Sequence, residues 1–151
     1  MSEMKAKRSS VMDNLFKELR RGFLEKEVEC YGHKFVLRTP TEDDSVWIDG
    51  FIRISTPAAM ISSERAPSLA AAIKSMDGIP LDQLFLYPDD MSETVRKGME
   101  ANEMSKRYWL YSQMMYFFIE DTNRPFVDAL WAHYRQLLNE RDEAINSIPK
   151  A

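Results

Sequence analysis

The sequence predicts an α+β fold, predominantly α-helical, with about six helices packed against one β-hairpin. Three observations predict it. Apolar residues recur at helical spacing along most of the chain, from Val11, Leu15 and Leu19 to Leu130, Tyr134 and Leu137. Residues 27–38 carry the clearest β-like pair of segments. The length of 151 residues, with 44% hydrophobic and 29% charged, suits one ordinary globular domain. A domain of this size buries ~70% of its unfolded surface and needs no disulfide or metal staple. Residues 1–8 read as a disordered basic tail and 9–151 as a single globular domain.

The elements follow in order. Ser9 or Ser10 caps a helix to about Leu24, with Val11, Leu15, Leu19 and Phe23 as its apolar stripe and Phe16 beside it. Glu27–Tyr31 and Lys34–Arg38 form the hairpin, turned by Gly32-His33. Val28 and Cys30 share one face of the first strand, and Phe35 and Leu37 one face of the second. Two strands alone are marginal, so the hairpin has to pack on helices. Thr41 caps a helix to about Ile54, and Glu42, Asp43 and Asp44 favour its first turn. A short helical stretch spans 57–62. Ser63 then caps a helix that runs through the Ala70–Ala72 run to Met76. Asp77–Pro80 is a turn, and a short helix near Leu84 ends by Pro88. Asp89-Asp90 caps a helix over 91–100. An apolar helix covers 103–119, and Pro125 opens the last helix, Phe126–Ile145.

Charge excludes some classes of function. Residues 1–40 carry +3, residues 41–100 carry −6 and residues 101–151 carry −1. An acidic centre repels a phosphate backbone, so no nucleic-acid partner is expected. No apolar run is long enough to span a bilayer, and the basic N-terminus lacks the apolar core of a signal peptide. A lone Cys30 fits a reducing cytoplasm.

Catalytic chemistry is sparse. Cys30 and His33 could pair as a thiolate nucleophile, but the strand pattern points Cys30 into the core and no orienting group is evident. Asp43/Asp44 and Asp89/Asp90 are adjacent in sequence, point apart on a helix and read as caps. No phosphate loop and no metal-ligand cluster is recognisable, so neither enzyme activity nor a cofactor or metal is expected.

The functional reading therefore falls on the aromatic and methionine-rich helix 104–119. A helix apolar nearly all round is central to its fold or covered by a partner. Tyr, Trp and Met suit adaptable interfaces. With the last helix it supplies the candidate partner-binding residues Tyr108, Tyr111, Met115, Trp131 and Tyr134. Any of these that is fully buried in the monomer drops out.

The order of elements carries a resemblance over about residues 28–90. Gly32-His33-Lys34-Phe35-Val36-Leu37-Arg38 leads to Thr39-Pro40-Thr41 and the acidic start Glu42-Asp43-Asp44, with Trp47 following. Ile73–Pro80 then leads into Leu84-Phe85 and Pro88-Asp89-Asp90. This resembles the small tail assembly chaperones and baseplate-hub assembly proteins of tailed bacteriophages, although Pro40 stands where leucine is more typical. Residues 91–151 match nothing in that pattern. The resemblance implies a non-enzymatic protein of the host cytoplasm. Its partners would be phage tail proteins: the tape-measure protein, or a hub or tube subunit. A structural tail or baseplate component retained in the virion is the alternative, and a homo-oligomer is compatible with either.

Overall fold

The computed structural model describes residues 5–53 and 64–147. The expected stretch at 57–62 and the Ser63 cap lie outside the described residues, as does the start of the basic tail; residues 5–9 have no regular structure. Helix α1 (Ser10–Leu19) begins where Ser9 Oγ accepts the Met12 N–H at 3.3 Å, and a 3-10 turn, Arg20–Gly22, continues it. The turn is locked to the body by Thr39, whose hydroxyl donates to the Gly22 carbonyl at 2.9 Å and accepts the Leu24 N–H at 3.0 Å.

The hairpin forms from β1 (Glu25–Cys30) and β2 (His33–Arg38), with Val28 opposite Phe35 and Cys30 opposite His33. All of Val28, Cys30, Phe35 and Leu37 are buried, as the alternation required. The turn residues are Tyr31 and Gly32, one position earlier than Gly32-His33. Their φ angles of +52° and +77° fit a two-residue turn with both central residues left-handed.

Helix α2 (Glu42–Arg53) opens on a reciprocal cap. Thr41 Oγ1 accepts the Asp44 N–H at 3.2 Å, and Asp44 Oδ2 accepts the Thr41 N–H at 3.0 Å. Helix α3 (Arg65–Ala72) is buried from Ala66 to Ala72 and packs on both long C-terminal helices. It stops at Ala72, short of the expected Met76. Ile73–Met76 is instead a strand, β3, antiparallel to β2, and Ile79–Pro80 forms a short β4 beside it. The alanine run carries a local helical preference, but the free edge of β2 offers a ladder. Asp77-Gly78, at φ +51° and +80°, makes a second left-handed two-residue turn. The sheet is thus a four-stranded antiparallel meander, β1-β2-β3-β4.

Helix α4 (Leu81–Leu84) follows. Ser92, rather than Asp89-Asp90, caps α5 (Glu93–Ala101), because its Oγ accepts the Val95 N–H at 3.2 Å. Asn102 caps α6 (Glu103–Glu120), and Asn123 caps α7 (Arg124–Asn146) with Pro125 in the first turn. The fold is α+β and predominantly helical, with seven α-helices among the described residues. One contiguous core joins the inner face of the hairpin, Trp47 and Ile48 of α2, Ala66 and Leu69–Ala72 of α3, and the inner faces of α6 and α7. β1 runs against α7, so that Tyr31 meets Phe126 near one end and Lys26 pairs with Glu140 near the other.

Candidate functional site

The five residues singled out from the sequence divide. Tyr111, Met115 and Tyr134 are core residues, 2%, 4% and 3% exposed. They lie in the core cluster rather than at the surface, so they drop out of the candidate surface. Tyr108 and Trp131 are half-buried. Tyr108 donates to Asp43, and the Trp131 ring lies under Arg65, whose guanidinium carbon is 5.9 Å from the ring centroid. Both side chains are therefore already engaged within the chain.

Tyr108 and Tyr111 of α6 instead belong to a polar seam that sequence reading missed. Asp44 is 1% exposed yet fully partnered. It accepts from Arg38 Nη1 at 2.9 Å, from the Tyr111 hydroxyl at 2.8 Å and from the Thr41 N–H. Burial alone would push its carboxyl up, but the Thr41 N–H, the Arg38 guanidinium and the Tyr111 hydroxyl outweigh that and hold it below the usual range. Burial, with the neighbouring Asp44 carboxylate, raises the Tyr111 hydroxyl. Asp43 points the other way, to Arg107 and Tyr108. The acidic start of α2 is thus both a cap and a clamp on α6. All four carboxylate oxygens of Asp43 and Asp44 are engaged within the seam, which suits a structural tie better than a binding site; Arg107 Nε is its one buried nitrogen without a partner among the described residues.

The open surface lies elsewhere. A cleft of about 410 Å³ opens between the hairpin tip, the end of α6 and the start of α7. Tyr31, Phe35, Met76, Phe117 and Phe126 give it apolar walls. Asp121 is the one lining residue with a fixed charge. Phe126 is the floor. Tyr31 meets it edge-on at 5.2 Å between centroids, and Phe118 stacks behind it at 6.2 Å. Tyr31 and Phe117 remain exposed at the mouth. Tyr31 is displayed there because it occupies a left-handed turn position, where its side chain cannot join either face of the sheet. His33 also lines the cleft, and its Nδ1 lies 2.6 Å from Asp77 Oδ2. Asp77 Oδ1 accepts the Lys34 N–H at 2.8 Å, so this carboxylate ties the two turns of the sheet together. The hydrogen bond to His33 is the chief reason that the Asp77 carboxyl sits low.

A second open surface is α1. Val11, Met12, Leu15, Leu19 and Phe23 are all exposed, and no residue of the helix is buried. The stripe was read correctly as amphipathic, but nothing in the described chain covers it.

The thiol reading fares poorly on geometry. Cys30 is buried, and burial pushes its thiol up, away from the thiolate a nucleophile needs. His33, its partner across the ladder, is engaged by Asp77. Among the described residues no group of three His, Cys, Asp or Glu side chains is placed to hold a metal ion. No helix among them is long and apolar enough to cross a membrane. No family model matches the chain, no curated protein matches its sequence, and no solved structure matches its fold.

Proposed function

We propose that the protein is a non-enzymatic phage tail assembly protein. It binds a helical segment of a tape-measure, hub or tube subunit in the host cytoplasm. The observation that carries this reading is the open, aromatic-walled cleft at the junction of α6, α7 and the hairpin tip. Its walls accept apolar side chains of varied shape, as a groove for an amphipathic helix must. Supporting it is the order of elements over residues 28–90, which resembles phage tail assembly proteins. The cleft replaces the surface expected from Tyr111, Met115 and Tyr134, which are spent on the core.

Affinity capture of the tagged protein from phage-producing cells, with mass spectrometry, tests the proposal. A long helix-rich tail subunit is expected with the wild type and is lost from Phe117→Asp. Recovery of a stable monomer with no such partner would overturn the chaperone role. A fixed copy number in purified particles would favour the retained structural component.

A further inference from the structure

We propose that α1 of one copy docks its apolar stripe into the Tyr31–Phe117–Phe126 cleft of a second copy, so that the chain associates head to tail. The inference rests on the cleft being the docking surface proposed above, and it names a second occupant for it.

Among the described residues, the arm and the cleft are two uncovered apolar surfaces, at opposite ends of α7. Phe126 floors the cleft. Gly22, at the root of the arm, lies under Ile145, so closely that an added Cβ would stand 2.6 Å from Ile145 Cδ1. The 19 helical steps from Phe126 to Ile145 span ~28 Å. The ten residues of α1 span only ~15 Å. The arm, fixed at its root by Thr39 and Ile145, is too short to reach its own cleft. It can reach the cleft of a neighbour.

Charge points the same way. Residues 5–23 carry six cations against two carboxylates, a net +4 on a chain of net −4. Two arms packed on each other would bring these cations together. The cleft instead presents Asp121 as its one lining residue of fixed charge, among apolar walls. The arm also needs a cover: a helix this short is marginal in water by itself, and its stability has to come from a packed face. Such an interface joins two different patches, so it closes into a ring or grows as a filament.

The test is light scattering of full-length protein at rising concentration, for wild type, Leu15→Asp and Phe117→Asp. Both side chains are exposed, 50% and 37%, so both variants are expected to fold; circular dichroism checks this. Tyr31→Asp is a second cleft variant at a turn position that aspartate tolerates. Wild type is expected to self-associate, more weakly at high salt. Each variant places a carboxylate against apolar groups and is expected to raise the self-dissociation constant more than about tenfold. The decisive sample is the equimolar mixture. Leu15→Asp keeps an intact cleft and Phe117→Asp an intact arm, so together they are expected to form a 1:1 dimer that neither forms alone.

Wild type that stays monomeric throughout overturns the proposal. So does Phe117→Asp that associates as wild type does, which would mean arm pairs with arm, or a mixture that stays monomeric. Monomeric wild type that sediments with phosphatidylglycerol-containing vesicles also overturns it and assigns the arm to a lipid surface. If wild type is monomeric while tail-subunit capture still depends on Phe117 and not on Leu15, the cleft reading stands and only the head-to-tail inference falls.

Discussion

Helices α1 and α6 show how differently two apolar faces can end. The stripe of α1 is clean, with Val11, Leu15 and Leu19 on one side and Asp13, Lys17 and Arg21 on the other. By pattern it is the better amphipathic helix, yet it buries nothing. Helix α6 is apolar nearly all round. It buries Leu110, Tyr111, Met114, Met115 and Phe118 and leaves Tyr116 and Ile119 outside. Periodicity reports that a face is prepared for contact. Whether the contact comes from the same chain is decided by where the neighbouring elements lead, and the Thr39 lock turns α1 away from the core.

Stability measurements can break or sharpen this contrast. The largest loss is expected at the clamp between α2 and α6. Asp44→Ala strands the partly buried Arg38 and the buried Tyr111 hydroxyl and should cost about 3–5 kcal/mol in urea unfolding. Leu130→Ala, at a site with no exposure, should cost about 2–5 kcal/mol. Gly22→Ala should cost about 1 kcal/mol, since the tip of Ile145 can yield, and the double variant with Ile145→Ala should recover most of it. Leu15→Ala should change monomer stability by less than about 0.5 kcal/mol. A loss at Leu15 as large as that at Leu130 would mean that the arm is folded onto the body in solution, and the contrast would be gone.

The clamp also has a pH signature. The Asp44 carboxyl is lower in the folded chain than in the unfolded one. Its contribution is therefore complete above the unfolded value of about 3.9 and fades as pH falls through the lower folded value. Wild type should lose stability over that acid range more steeply than Asp44→Asn. Parallel pH profiles for the two would show that folding does not lower the Asp44 carboxyl.

Much of the fold was legible in the sequence because it is local. The Thr41 cap, the alternation from Val28 to Leu37 and the proline opening α7 are read within a few residues, and all three are present. The strand Ile73–Met76 was read as helix because its partner, β2, is more than 30 residues away in the chain and the alanines before it favour helix. The seam was missed for the same reason. Asp44 reads as a cap, and only folding brings Tyr111 and Arg38 to it. For the candidate surface, the expected Tyr111 and Met115 of helix 104–119 lie in the core. Of that helix, Phe117 and not Tyr111 or Met115 reaches the cleft, and no spacing rule separates a ring at the mouth from one in the core.

The edges of the sheet have a consequence for handling the protein in bulk. β4 is two residues long and ends in Pro80, which has no N–H to offer an incoming strand. β1, at the other edge, carries Glu25, Glu27 and Glu29 along its exposed positions. Both edges are thus poor templates for backbone-to-backbone growth, the route by which concentrated β-containing proteins convert to fibrous aggregates. Concentrated stocks of this chain should stay free of thioflavin-positive material, and any turbidity that appears should redissolve on dilution.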